Sequence, residues 1–296
     1  MYALGIDIGG TRIKYVAVTH EAETLQCGSV PTRDGAEAAE TWKLQVSEIR
    51  NTLELTFGQA RAIGVASPGL AAPDGLSIAW MQGRMQCVQG LNWSEALGGE
   101  SPIPVLNDAH AALLGEAWCG AAAGCPNTAM LTLGTGVGGG CLVDGKLLRG
   151  AIGRAGHLGH ITVDYSGPPD IVNTPGSLED AIGECTLLAR SDGRFANTST
   201  LMAAHRAGDA EATQVWMRSL RALAAGVVSI INVTDPEVFI IGGGIAQSGP
   251  DLFDPLQELV NEYEWRPLGG KVKIVEAALG EYAGAYGVAA RSAGWI

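Results

Sequence analysis

Apolar positions along the chain recur with two different periods, and the switches between them outline its elements. Tyr2–Ile8 and Arg12–Thr19 are apolar runs separated only by Gly9-Gly10-Thr11, which predicts two strands joined by a tight glycine-tipped turn. From 36 to 57 the period lengthens: Trp42, Val46, Ile49 and Leu53 recur at three- and four-residue spacing, the signature of a helix with one apolar face. A short apolar strand at 62–66 leads into the loop Ser67-Pro68-Gly69. A strand at 103–106 then meets Asn107-Asp108, where AHAALLGEAWCGAA takes on helical composition, so Asp108 falls at a strand-to-helix junction.

The second half repeats this order. Strands at 131–133 and 140–143 flank GTGVGG, and Asp144-Gly145 reverses the chain again. A helical pattern at 210–233 precedes a strand at 238–241, the glycines 242–244, a helix at 254–265, a strand at 272–277 and a closing helix in EYAGAYGVAARSAG. Strand, glycine hairpin, strand and helices in each half suit two similar lobes facing a cleft.

Composition narrows the function. With 296 residues, 47% hydrophobic and 17% charged, the chain can bury a sizeable core and is not disordered. Its net charge of -12 repels phosphate backbones, which argues against nucleic acid as a partner. No basic cluster marks a membrane surface and no apolar run reaches the ~18 residues of a spanning helix. MYALGIDIGG lacks the basic start of a signal peptide, so a cytoplasmic location is expected. The six cysteines include no C-x-x-C pair, which suggests neither a disulfide framework nor a zinc knuckle, and most are expected to be buried thiols.

Gly134 to Gly139 fit G-x-G-x-x-G, but a dinucleotide site needs a helix opening within the glycines, and GCLVDGKLL reads as strand, turn, strand. There is also no G-x-x-x-x-G-K-[ST]. The glycines at Gly9-Gly10-Thr11, Gly134-Thr135-Gly136 and Gly242-Gly243-Gly244 either serve tight turns alone or open backbone amides to a polyphosphate. Each cluster follows an apolar strand, which favours the second reading. Asp7 and Asp108 stand at strand ends: Asp108 is either a helix N-cap or a base that accepts a hydroxyl proton, and Asp7 is a candidate holder of magnesium. His157 and His160, three apart, suit a metal, the recognition of hydroxyls, or a structural role.

Together these residues resemble the ROK (repressor, open reading frame, kinase) family over nearly the whole length. LGIDIGGTRIKYVAV resembles its first phosphate motif and NDAHAALLGEAWCGAA its catalytic aspartate and following helix. TLGTGVGGGCLVDGKLLRGAIGRAGHLGHITVD resembles its second phosphate and sugar region, and FIIGGGIAQSG and LGEYAGAYGVAA its adenosine region and final helix.

The resemblance implies an α/β, two-lobed actin and hexokinase-type (ribonuclease H-like) ATPase fold, with 1–108 and the returning helix 281–296 in one lobe and 109–280 in the other. It implies ATP-dependent phosphorylation of a hexose or N-acetylhexosamine at the 6-hydroxyl, with Mg2+ and with Asp108 as general base. Ser67, Gly69, Asn107, Asp108, His157, His160 and Glu179 fall on sugar-side positions. Gly9, Gly10, Thr11, Gly134, Thr135, Gly136, Gly243 and Gly244 fall on nucleotide-side positions, and Asp7 remains the magnesium candidate from its place at the strand end. A homodimer or dimer of dimers is implied too.

The phosphate hairpin begins within the first ten residues, the arrangement of the family's kinases rather than of its repressors. Two departures stand out: His157 occupies the place of a sugar-contacting glutamate, and the three zinc cysteines are replaced by Asp170, Val172 and Ser177, so no zinc site is expected. The competing readings are a sugar-sensing regulatory protein without catalysis and a general ATPase.

Overall fold

The computed structural model describes residues 1–33, 35, 38–98 and 101–296. In chain order the strands are β1 (Tyr2–Ile8), β2 (Arg12–Thr19), β3 (Thr24–Pro31), β4 (Ala62–Ser67), β5 (Leu70–Ala71), β6 (Ile78–Trp80), β7 (Val105–Asn107), β8 (Thr128–Leu133), β9 (Val137–Val143), β10 (Lys146–Leu147), β11 (Val238–Gly242) and β12 (Lys273–Glu276). The α-helices are α1 (Ala38–Phe57), α2 (Trp93–Leu97), α3 (Asp108–Cys119), α4 (Leu178–Ile182), α5 (Leu187–Arg190), α6 (Thr198–Arg206), α7 (Ala210–Thr234), α8 (Pro250–Tyr263) and α9 (Ala283–Ser292).

These elements fall into two compact units. The first comprises Met1–Gly124, Leu147–Ala155 and Ala278–Ile296, the second Cys125–Lys146 and Gly156–Ala277. Each unit has a five-stranded sheet, ordered β3-β2-β1-β4-β7 in the first and β10-β9-β8-β11-β12 in the second. In both, the middle strand pairs antiparallel with the hairpin partner that follows it and parallel with the next strand, as β1 does with β2 and β4, and β8 with β9 and β11. The shared order is the mixed α/β, ribonuclease H-like arrangement that the sequence led us to expect.

In the first unit β1 is buried along its whole length. Tyr2, Leu4, Ile6 and Ile8 share a core with Trp42, Val46 and Leu53 of α1, whereas Ala3, on the opposite face, packs with Ala285 and Ala289 of α9. That second face is kept small. A Cβ on Gly5 would lie 1.8 Å from the Ala285 carbonyl oxygen, and one on its sheet neighbour Gly64 would lie 2.2 Å from that of Val288. The α3 helix approaches α9 as closely, since a Cβ on Gly287 would lie 1.8 Å from the Ala111 oxygen. Backbone therefore rests on backbone, and no larger residue fits.

Glu116 closes the arrangement. Its buried carboxylate accepts from the Leu279 amide at Oε1 (2.8 Å) and from those of Ala278 (3.0 Å) and Ala121 (2.7 Å) at Oε2, which ties the approach to α9 to the end of α3. Burying a charge costs less when hydrogen bonds replace its water. In the second unit, Leu131, Phe239 and Ile241 of the sheet pack with Leu223 and Val227 of α7 and Leu256 of α8.

The structure departs from the sequence reading in places. The unit boundaries differ from a division at 108/109, because α3 packs along α9 and stays with the first unit. The hairpin strands β8 and β9 are longer than 131–133 and 140–143, because Gly138 and Gly139 join the ladder opposite Thr132 and Leu131. Strand β7 starts at Val105, past Pro104, which has no amide to give a ladder. Helix α8 starts at Pro250, a residue suited to a first turn. Edge strand β3, half exposed, and the short helices α4 to α6 carry too little periodicity to be read. The expected helix start at Ala36 lies outside the described residues. Cys141 alone among the cysteines is buried, while Cys27, Cys87 and Cys185 are exposed. Among the described residues, no helix is long and apolar enough to cross a membrane.

The α9 contact yields a direct test. Gly5→Ala should destabilise the protein by about 3 kcal/mol in urea unfolding through overpacking. Gly270→Ala, whose Cβ would meet its nearest neighbour at 3.6 Å, should stay within about 0.5 kcal/mol of the parent. Equal effects would refute the close-contact account.

Candidate functional site

In the first unit, four of the candidate residues cluster at the ends of β1, β4 and β7. Asp7 is the penultimate residue of β1, Ser67 ends β4, and Asn107 ends β7 opposite Ser67 in the parallel register. Asn107, not Asp108, caps α3: its Oδ1 accepts from the amides of Ala109 (3.0 Å) and His110 (3.1 Å), and its Nδ2 donates to the Gly69 oxygen at 3.1 Å. Asp108 is thereby spared the capping task and sits in the first helical turn, where its Oδ1 accepts from the Ala109 amide at 2.9 Å. Gly69 is required where it stands, with φ +104° and no room for a Cβ, which would lie 2.7 Å from Ile78 Cγ2.

Electrostatics concentrate on the two aspartates. Burial, reinforced by the charge of Asp108, pushes the Asp7 carboxyl up to about 7, and Lys14 pulls the other way. Burial also raises Asp108, against the amides of the helix start, Lys14 and Asn107. Lys14 lies directly across the hairpin from Asp7 and pairs loosely with Glu281 at 3.9 Å. Asp7 Oδ1 and Ser67 Oγ are among the buried polar atoms with no hydrogen-bond partner in the described residues, and these two lie together at the strand ends. Such atoms are rare in folded proteins and point to a ligand. An unpartnered buried carboxylate oxygen fits a hard cation such as magnesium.

The first glycine turn is fixed nearby. The Gly9 amide donates to the Arg12 oxygen (3.1 Å), Thr32 Oγ1 donates to the Gly9 oxygen (2.6 Å), and Arg84 donates to the Gly10 oxygen (2.9 Å). Thr11 stands exposed at its tip.

In the second unit, Gly134-Thr135-Gly136 forms the tip of the β8–β9 hairpin. Its carbonyls accept from Glu184 and Cys185, both at 2.9 Å, and Glu179 of α4 accepts from the Val137 amide at 2.9 Å. A Cβ on Gly136 would lie 2.3 Å from the Glu179 carboxylate. Glu179, expected only on the sugar side, therefore also holds the hairpin tip. Gly243, at φ +88°, passes so near β8 that a Cβ would lie 2.3 Å from the Leu133 oxygen. Gly134, Thr135 and Gly244 line a cavity of about 500 Å³ together with Glu184, Met202 and Arg206. Asp251 and the Ser248 carbonyl hold the Arg206 guanidinium.

His157 and His160 bracket a single 3₁₀ turn, Leu158–His160. Burial, reinforced by the neighbouring His160 imidazole, pushes the His157 imidazole below its usual range and favours its neutral form. His160 Nδ1 lies 2.9 Å from Asp170 Oδ2. The residues at the cysteine positions do not fit zinc. Val172 has no donor atom, Ser177 Oγ is used by the Asp180 amide as the cap of α4, and Asp170 is engaged by His160 and loop amides.

The sequence reading missed Lys14, Glu116, and the cavity residues Glu184, Met202 and Arg206. Lys14 was within reach, since a turn at 9–11 sets residue 14 opposite residue 7. The others belong to short helices or to a contact that only the fold brings together.

A family model described as ROK family matches residues 3–292. The glucokinase of Thermotoga maritima is 33% identical, with 97% of this chain and 95% of that protein covered. The N-acetyl-D-glucosamine kinase of Vibrio parahaemolyticus is 27% identical, with 96% and 97% covered. The crystal structure of a ROK family glucokinase from Streptomyces griseus, in complex with glucose and AMPPNP, matches with a TM-score of 0.79 at 26% identity, covering 99% of each chain.

The state of Asp7 can be tested through stability. A carboxyl raised in the folded state stabilises the fold below the unfolded value of about 4, and that contribution is lost as pH rises through about 7. Asp7→Asn should therefore be the more stable protein at pH 8, by at most on the order of 4 kcal/mol, and level with the parent near pH 4. Urea unfolding at both pH values reads the difference, and a gap that does not change with pH would refute the assignment.

Proposed function

Since the chain belongs to the ROK family, we propose that it is an ATP-dependent sugar kinase that phosphorylates a hexose or N-acetylhexosamine at its 6-hydroxyl. The observation that carries this reading is the pairing of Asp108, relieved of capping by Asn107, with Asp7, whose buried Oδ1 lacks a partner.

In this mechanism the Asp108 carboxylate takes the proton of the attacking hydroxyl. Its raised proton affinity suits a base, while the amides at the start of α3 favour the ionised form that accepts the proton. The hydroxyl oxygen forms a bond to the γ-phosphorus of Mg·ATP as the bond from that phosphorus to the bridging oxygen breaks, releasing ADP. Magnesium arrives with ATP, and Asp7 is the residue that would hold it. The amides around Gly9, Gly10 and Thr11, and those around Gly134, Thr135 and Gly136, hold phosphate oxygens. The cavity at Gly244, near Gly243, takes the adenosine, with Met202 as an apolar part of its lining.

Ser67, Gly69, Asn107, His157, His160 and Glu179 hold the sugar. A carboxylate accepts two hydroxyls, whereas neutral imidazole accepts one and donates one. His157 therefore selects a different hydroxyl stereochemistry or substituent from a family member with glutamate there.

A panel of hexoses and N-acetylhexosamines assayed for ADP release should reveal at least one substrate, with phosphorus coupling in the product's NMR spectrum locating the phosphate on C6. Asp108→Asn should lower kcat on that sugar by about 10²- to 10⁴-fold with little change in sugar KM. Tight sugar binding by calorimetry with no turnover would favour a sensor instead, and ATP hydrolysis indifferent to sugar a general ATPase.

A further inference from the structure

We propose that Asp170 is a positioning residue for His160: its carboxylate fixes the imidazole as the Nδ1–H tautomer, so that Nε2 is left as the acceptor of a substrate hydroxyl. The inference builds on the sugar-kinase reading for the identity of that hydroxyl, but the Asp170–His160 geometry stands apart from it.

The Asp170 side chain is 0% exposed, whereas that of His160 is 31% exposed. Oδ2 faces His160 Nδ1 at 2.9 Å, while Oδ1 accepts from the amides of Val172 (2.9 Å) and Thr174 (2.8 Å). Although burial alone raises the Asp170 carboxyl, these bonds outweigh it and hold the group below its usual range, as an anion. A carboxylate anion only accepts, so the proton of the shared hydrogen bond belongs to Nδ1. In the neutral form of the ring the lone pair is then at Nε2.

Both partners rest on fixed backbone. The turn that carries His160 is pressed against β9, since a Cβ on Gly159 would lie 2.0 Å from the Val137 oxygen. Asp170 is held by its amide, which donates to the Thr174 oxygen at 2.9 Å, and by the bridge between Pro169 and Pro175. Where relatives with the cysteine motif would close this loop on a metal, here the carboxylate closes it on two amides and an imidazole. One side chain thus organises the loop and sets the polarity of a site residue.

Asp170→Asn separates the two tasks. The asparagine oxygen can still accept from Val172 and Thr174, but its NH2 group would face Nδ1 and force the proton to Nε2. The ¹⁵N spectrum of the parent should show His160 protonated at Nδ1 and bare at Nε2, and the variant should show the reverse. Sugar KM should rise roughly tenfold in the variant, with KM for ATP and kcat changed less than about twofold.

A parent spectrum with the proton on Nε2 would overturn the proposal even if the variant failed to fold. So would a flipped tautomer with unchanged sugar KM, or stoichiometric zinc bound to the parent and lost from the variant. Absence of turnover on any sugar by the parent would count against the kinase reading, while the tautomer result would still stand.

Discussion

The contact on which the first unit depends is the seating of α9 against β1, β4 and α3, where carbonyl oxygens occupy space that any side chain larger than hydrogen would fill. Gly5 and Gly64 open the sheet to Ala285 and Val288, and Gly287 opens α9 to Ala111. Because α9 touches all three elements at once, it fixes the distance from the end of β1, with Asp7, to the start of α3, with Asp108. Gly284 extends the same logic to the site itself, since a Cβ there would lie 3.0 Å from Asp7 Oδ2. Packing at backbone resolution leaves little slack, as a site that positions two carboxylates requires.

Holding those carboxylates together has an electrostatic cost that the protein offsets only in part. Lys14 favours ionisation of both, and the first turn of α3 favours that of Asp108, yet burial still raises each above its usual range. Glu116, buried a few turns along α3, shows the contrasting case, with three amides satisfying its carboxylate. Protein donors saturate the Glu116 carboxylate, whereas Asp7 Oδ1 is buried without a hydrogen-bond partner among the described residues.

How much of this could be read from the sequence follows from the range of each interaction. The strands on either side of Gly9-Gly10-Thr11, the helix through Trp42 and Leu53, and α7 were legible because their burial follows a local period. The glycine clusters and the junction at Asn107-Asp108 were legible for the same reason, as each lies next to an apolar strand. The capping exchange between those two residues was not, because both types cap well and only backbone geometry chooses. Nor was the role of Glu116, whose partners at Ala278 and Leu279 lie about 160 residues away. The resemblance supplied the sugar-side positions but not what Asp170 does in place of a cysteine.

In the second unit a chain of short contacts joins groups that the sequence suggested separately. Glu179 grips the amide of Val137, next to the tip of the β8–β9 hairpin, while the carbonyl of Val137 abuts Gly159, next to His160. The Val137 residue thus touches the Glu179 carboxylate through its amide and the turn that carries His160 through its carbonyl. With Asp170 anchoring His160 from the other side, the imidazole cannot swing without breaking a part-buried hydrogen bond. The hairpin tip, Glu179 and the turn that carries His160 therefore form one tightly packed set of contacts within the unit.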